Sequence, residues 1–191
     1  GIARQEFKRC KVLCVLPLFH AFAQNTCIWT SLLYGCTVIV VKKVERRYIL
    51  EALEKRPHIF FGVPALFGLL CMMKTAPIGE IELFIAGGDA LPDRIRSAFA
   101  LIYNRKICNG YGLTETGPLI SIDFDDMTEP TNCVGTPCVD IQVEIRDDQG
   151  AEVRQGAVGQ LWVKGPNVML GYYNAPEATE KVMKSGWFDT G

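Results

Sequence analysis

Asn109-Gly110-Tyr111-Gly112-Leu113-Thr114-Glu115-Thr116-Gly117-Pro118 is the stretch on which the reading of this chain turns. It follows a short apolar strand pattern, Lys106-Ile107-Cys108, and gathers glycines, hydroxyls, one carboxylate and one aromatic ring. Glycine lets a backbone turn tightly and approach a ligand closely. Threonine hydroxyls and bare amides bind phosphate oxygens, and a carboxylate holds Mg2+ beside them. The Tyr111 ring offers a flat face to a base. These residue types in this order point to a nucleotide site rather than a connecting turn. A plainer reading stands beside it, in which Thr114 caps a short helix and Glu115 sits near its positive end.

Upstream, apolar β-rich runs at 12–16, 37–41, 59–62, 83–86 and 106–109 alternate with helix-like segments at 21–34, 46–55, 64–74 and 92–103. Short buried strands alternating with helices predict a parallel sheet covered on both faces. In the last helix Pro92 suits the first position, with Ile95, Ala98, Phe99 and Ile102 at helical spacing. After Pro118 the texture changes. Residues 123–130 are acidic and turn-like, 141–145 alternate strictly, Asp147-Asp148-Gln149-Gly150 reads as a turn, and 159–165 is a second short strand. A short helix is expected over 175–184. Together these predict a small antiparallel unit. The expected fold is α/β: half of a doubly wound, mainly parallel sheet with flanking helices, followed by part of a small β subdomain. The division falls near 128–132, giving an α/β part over 1–128 and a β-rich part over 129–191.

The composition agrees. The 191 residues fit one or two domains, and 49% hydrophobic with 21% charged residues is the mix of a globular protein. A net charge of -1 asks for neither nucleic acid nor an anionic membrane, and the basic run 42–47 reads as a solvated connection. Eight cysteines contain no C-x-x-C pair and only His20 and His58 could join them, so they read as reduced thiols rather than zinc ligands. No charged-then-apolar leader is seen. The longest uncharged apolar run, 12–41, is broken by Pro17, His20, Gln24, Asn25 and Gly35, and reads as strand, helix, strand. The expectation is a cytoplasmic protein with no transmembrane segment.

Three unusual clusters follow predicted parallel strands: Leu16-Pro17-Leu18-Phe19-His20, Gly87-Gly88-Asp89-Ala90-Leu91, and the Gly110–Thr116 loop. Open α/β sheets bind ligands outside the carboxyl ends of their strands. All three clusters should therefore face one crevice. Singly, each has a bland reading: a packed histidine, a strand-to-helix turn, a helix start. The phosphate-binding loop G-x-x-x-x-G-K-[ST] is not in the chain, nor is a G-x-S-x-G nucleophile turn.

Taken together these motifs resemble those of the adenylate-forming superfamily, which comprises acyl-CoA and acyl-carrier-protein synthetases, luciferases and peptide-synthetase adenylation domains. Residues 16–20 resemble its histidine motif, 87–91 its adenine-side turn and 110–116 its most diagnostic loop. Residues 159–173 resemble the glycine- and aromatic-rich motif of its small β subdomain, and 186–191 the start of its ribose-binding motif. The Pro-Leu-Phe-His form most resembles fatty-acyl and aryl synthetases.

The resemblance implies a set of roles. The nucleotide-binding set is Gly87, Gly88, Asp89, Asn109, Gly110, Tyr111, Gly112 and Thr114, with Tyr111 stacked on adenine. The catalytic set is Thr114 at the α-phosphate, Glu115 holding Mg2+, and His20 beside the tunnel for the acyl carboxylate. The reaction implied uses ATP and Mg2+ to adenylate a carboxylic acid, after which CoA or an acyl carrier protein displaces AMP as a thioester. Peripheral membrane contact of the parent protein fits a fatty substrate. Ala23 stands where the family often has glycine, at the expected acyl entrance. The family's Ser/Thr/Gly-rich loop with its lysine, its ribose-binding aspartate and its carboxyl-terminal lid are not among these residues. The chain is therefore expected to be the middle of a larger enzyme and inactive alone. A non-catalytic nucleotide-binding module of the same fold, or an amino-acid adenylation domain, are the competing readings.

Overall fold

The computed structural model describes residues 10–124 and 133–191. Five short strands form the parallel core of the larger sheet: β1 (Lys11–Cys14), β2 (Thr37–Val40), β3 (Ile59–Gly62), β4 (Leu83–Ala86) and β5 (Cys108–Tyr111). They are ordered β2-β1-β3-β4-β5, and two short antiparallel strands, β6 (Ser121–Ile122) and β7 (Thr136–Pro137), extend the β5 edge. A smaller antiparallel sheet holds β8 (Gln142–Arg146), β9 (Gln160–Lys164), β10 (Met183–Lys184) and β11 (Trp187–Asp189), in the order β10-β11-β9-β8. The division expected at 128–132 lies outside the described residues. The larger sheet continues past it to β7.

Alternation of side chains along the strands sorts the core onto two faces. Leu13, Ile39, Phe60 and Phe84 face one way, where α3 (Arg46–Leu53), α4 (Pro64–Met72) and α5 (Asp93–Tyr103) cover them. There Phe67 and Phe99 join Phe60 and Phe84 in edge-on contacts, with centroids 5.0–5.6 Å apart for the Phe60–Phe67, Phe67–Phe99 and Phe84–Phe99 pairs. Edge-to-face packing is favoured by the ring quadrupoles. Val12, Cys14 and Ile59 face the other way, against Cys27 of the helical segment that follows β1. None of the eight cysteines is joined in a disulfide. Among the described residues no helix is long and apolar enough to cross a membrane.

Element boundaries differ from expectation for local reasons. β1 ends at Cys14 rather than at Leu16, because Pro17 cannot donate to a ladder and holds the preceding residue out of helix. The helix expected over 21–34 is α at Ala21–Ala23 (α1), π at Gln24–Trp29, and α again at Thr30–Tyr34 (α2). The Thr26 hydroxyl donates to the Phe22 carbonyl at 2.6 Å, the kind of side-chain competition that disturbs a helical ladder. Gly35 then ends α2 at φ 68°, a left-handed position that glycine takes without strain. Pro92 is the cap of α5 rather than its first residue: its ψ of 137° is extended, and its carbonyl accepts the Ile95 and Arg96 amides. The helix expected over 175–184 stops sooner, as α6 (Pro176–Val182). Met183 and Lys184 pair instead with Phe188 and Trp187 across a two-residue turn. Ser185 and Gly186 both have positive φ, 52° and 80°, as a type I′ hairpin requires.

Candidate active site

The opening stretch divides into two structures. Its first half lies in the sheet: Gly110 pairs with Ile122 and Tyr111 with Ser121 as β5 meets β6. The antiparallel partner extends the strand beyond the run expected to end at 109, so Tyr111 is fixed by ladder hydrogen bonds rather than by a loop. The second half is a single 3-10 turn, Thr114–Thr116. Thr116 rather than Thr114 secures it. Its buried hydroxyl accepts the Leu113 amide at 2.9 Å and donates to the Leu113 carbonyl at 3.0 Å. Thr114 is thereby left exposed at the rim.

The three clusters do meet. Leu16, Pro17 and His20, then Gly87 and Gly88, then Gly110, Tyr111, Gly112 and Thr114, line one cleft of about 530 Å3 at the carboxyl ends of β1, β4 and β5. Apart from Thr26 the rest of its wall is apolar: Phe22, Phe61, Val63, Ile85, Leu119 and Ile122 all contribute. None of the described residues lining it is Asp, Glu, Lys or Arg. Phe22 and Phe61 meet edge-on at 6.0 Å, and a Cβ placed on Gly87 would lie 3.2 Å from the Phe22 ring. The glycine is therefore where backbone and ring come closest. His20, exposed, precedes α1 with its ring 4.7 Å from that of Phe19.

Three expected residues are elsewhere. Asn109 is buried and its carboxamide donates to the Cys133 carbonyl at 3.0 Å, away from the cleft wall. Asp89 is exposed and closes its own turn, accepting the Ala90 amide at 2.8 Å. Ala23, expected at an acyl entrance, is wholly buried in the main core.

Glu115 lies beside the rim, half-buried, with Oε1 accepting the Tyr172 hydroxyl at 2.9 Å. That bond raises the Tyr172 phenol above its ordinary value, because ionising it would remove the donor beside a carboxylate. Among the described residues no group of three or more His, Cys, Asp or Glu side chains could hold a metal. The donors here, one carboxylate and one neighbouring hydroxyl, are hard oxygens. That set suits Mg2+, which commonly takes one or two carboxylates and completes its shell with water and substrate phosphate.

Two residues that the sequence did not single out hold the rim. Asn167 donates through Nδ2 to the Thr116 carbonyl at 2.7 Å and the Leu119 carbonyl at 2.9 Å. Asn25 donates to the Gly117 carbonyl at 3.0 Å. The partners are 48 to 92 positions apart in the chain, so no local pattern announces them.

Comparison with known proteins agrees with this geometry. Residues 2–173 match the family model described as AMP-binding enzyme. The chain is 31% identical over 185 residues to a long-chain-fatty-acid–CoA ligase of Yersinia pestis, covering 94% of this chain and 33% of that protein. It is 32% identical over 186 residues to a feruloyl-CoA synthase of Amycolatopsis sp, covering 95% of this chain and 38% of that protein. Among solved structures, ATP-bound MatB from Rhodopseudomonas palustris superposes with a TM-score of 0.89 at 26% identity, over 97% of this chain and 38% of that one. O-succinylbenzoate coenzyme A synthetase (MenE) from Bacillus subtilis, in complex with ATP and magnesium ion, gives 0.88 at 25% identity, over 100% and 39%. The chain thus spans about a third of the length of the curated relatives it matches. With a match over nearly its whole length, the chain belongs to the AMP-binding enzyme family, the adenylate-forming superfamily.

Proposed function

We propose that this chain is the central part of an ATP-dependent acid–thiol ligase. The ligase adenylates a fatty or similarly apolar carboxylic acid and passes the acyl group to CoA. The observation that carries this reading is the single cleft that joins glycine-rich backbone, Thr114 and His20 to an apolar, uncharged wall. An apolar wall favours an acid with a hydrocarbon or aryl tail. An activated amino acid would bring an ammonium group into the cleft, and no carboxylate among the lining residues would meet it. Relatives named for long-chain fatty acids and for ferulate fit that tail chemistry.

The reading gives each residue a role. Tyr111, fixed in β5, gives adenine a flat face, with Gly87, Gly88 and Gly110 allowing backbone to close on the purine. Thr114 at the rim donates its hydroxyl to the α-phosphate. Glu115 beside it holds Mg2+, which when bound neutralises charge as pyrophosphate leaves. His20 across the cleft orients the acid carboxylate for attack on the α-phosphorus. Two anions must meet in this step, so catalysis rests on positioning and on donors aimed at developing charge. The thiol of CoA then attacks the acyl carbon and AMP departs. An acyl carrier protein is the alternative acceptor. Placed in the whole protein, the larger sheet through β7 forms the nucleotide and acyl part, and the sheet of β8 to β11 the small β subdomain.

The test is ATP–pyrophosphate exchange by the full-length protein with a panel of acids, followed by thioester formation with CoA and with carrier protein. Exchange driven by C8 to C18 fatty acids or by aryl acids is expected. Exchange driven only by amino acids, or none with any acid, overturns the reading. The 191-residue chain alone is expected to give no turnover.

A further inference from the structure

The small sheet's segment reaches the site loop through more than packing. After β9 the chain runs along the rim, where the Met169 amide donates to the Glu115 carbonyl at 2.8 Å and the Tyr172 hydroxyl donates to Glu115 Oε1 at 2.9 Å. Glu115 is thus held twice from one side, by backbone and by side chain, from residues more than fifty positions away. Oε2 has no hydrogen-bond or ion-pair partner among the described residues.

Tyr172 is itself fixed. Its amide donates to Thr179 Oγ1 at 2.9 Å, and that hydroxyl donates to the Ala175 carbonyl at 3.0 Å. Gly171, at φ 148°, lets the chain pass so close to Thr179 that a Cβ there would lie 2.8 Å from its methyl group. Asn167 ties the same segment to Thr116 and Leu119. Tyr172 is 38% exposed, so a free tyrosine side chain there would sample several rotamers, yet it is anchored at both ends. A hydrogen bond to a charged group is worth more than a neutral one, and occupying one carboxylate oxygen fixes the direction of the other.

We infer that Tyr172 is a positioning residue for Glu115: its hydroxyl holds Oε1 so that Oε2 is presented to the divalent cation of the nucleotide. This rests on the ligase reading only for the cation's purpose, and it assigns a role in metal affinity to a residue of the small subdomain.

The experiment uses the full-length protein with Tyr172→Phe, Glu115→Gln and the double variant. Mn2+ affinity is read by electron paramagnetic resonance in the presence of α,β-methylene-ATP. The Mg2+ dependence of pyrophosphate exchange is read separately. Tyr172→Phe is expected to weaken Mn2+ binding by roughly five- to tenfold, the loss of one hydrogen bond at a solvent-exposed position. The Mg2+ needed for half-maximal exchange should rise equally, with kcat at saturating Mg2+ within about twofold. On the Glu115→Gln background the Phe substitution should change nothing further. Thr179→Val should shift Mn2+ affinity in the same direction and Thr179→Ser should not, which guards against a folding defect in one variant. Unchanged Mn2+ affinity in Tyr172→Phe, an equal loss on the Gln background, or no Mn2+ binding by the unsubstituted protein overturns the inference. Metal binding with the expected variant effects but no exchange with any acid leaves Tyr172 in its role and overturns the ligase reading alone.

Discussion

Asn25 and Gly117 are 92 positions apart in the chain, yet the Asn25 carboxamide donates to the Gly117 carbonyl at 3.0 Å. The bond ties the π-helical turn after the histidine motif to the end of the Thr114–Thr116 turn. A π turn re-aims side chains relative to an α-helix and is often found at functional sites. Asn25 is exposed, so its bond competes with water. Replacing it with alanine should cost no more than about 1 kcal/mol of stability. The larger expected effect is on the site, a severalfold rise in KM for ATP in the full-length protein. Denaturant unfolding and steady-state kinetics on one preparation separate the two.

Asn167 should matter more to stability. Both hydrogens of its Nδ2 are used, at 2.7 and 2.9 Å, and the side chain is half-buried. Asn167→Ala leaves two carbonyls to find water in a crowded place, at a cost of about 1–3 kcal/mol. Asn167→Asp should be worse, because a carboxylate would face both carbonyls with no proton to offer. Urea unfolding gives the ranking. Hydrogen exchange across residues 113–120 should accelerate in both variants, and unchanged protection there would remove the clamp.

Glu115→Ala removes the carboxylate next to Thr114 at the rim. In the full-length protein it should lower the adenylation rate by about a hundredfold or more, the usual loss for an electrostatic group acting in a transition state. Thioester formation from a supplied acyl adenylate should fall far less. Retained exchange at the unsubstituted rate would take Glu115 out of the mechanism.

How much of this could be read from the sequence depended on range. The five parallel strands and the helices between them were legible, because each is a short apolar run with its own punctuation: Pro64 opening α4, Gly35 closing α2. The convergence of the three clusters was legible as well, because strand direction alone puts their ends on one edge. Asn109 was given both to the strand 106–109 and to the nucleotide set, and what turns its carboxamide away from the cleft is a bond to the Cys133 carbonyl, 24 positions on, that no local pattern announces. The short helix was overextended because Met183 and Lys184 suit a helix locally, while the Ser185-Gly186 turn offers them a strand partner. Asn25 left no local signal, and Asn167 and Tyr172 stood inside the 159–173 motif with nothing in it to say what they bind. Their roles exist only once distant segments have packed.

The phenylalanine cluster should carry much of the stability of the larger sheet. Phe99 is fully buried and touches Phe67, Phe84 and Tyr103 with centroids 5.0 to 5.6 Å away. Phe99→Ala should cost about 3–5 kcal/mol, since the neighbouring rings can collapse only partly into the space. Phe99→Leu, which keeps most of the volume, should cost less than half as much. Thermal and denaturant midpoints on the two variants provide the comparison.

Gly87 gives the sharpest separation of site from fold. It lies at the end of β4, its amide donates to the Gly62 carbonyl at 3.1 Å, and it is buried. Its φ is not in the left-handed region, so alanine meets no backbone strain there. The added methyl would meet the Phe22 ring at 3.2 and 3.3 Å, closer than ordinary van der Waals contact. Phe22 lines the cleft and is only partly buried, so the ring can yield towards the open space and narrow it. Gly87→Ala should therefore leave the fold within about 1 kcal/mol, well below the cost of overpacking a closed core. It should raise the Kd for ATP by about tenfold. Shortening the ring in the double variant Gly87→Ala, Phe22→Leu should restore most of the lost affinity, because the leucine leaves room for the methyl. If affinity falls in Gly87→Ala and stays down in the double variant, the ring is not what closes the cleft. If affinity does not fall at all, Gly87 does not wall the nucleotide.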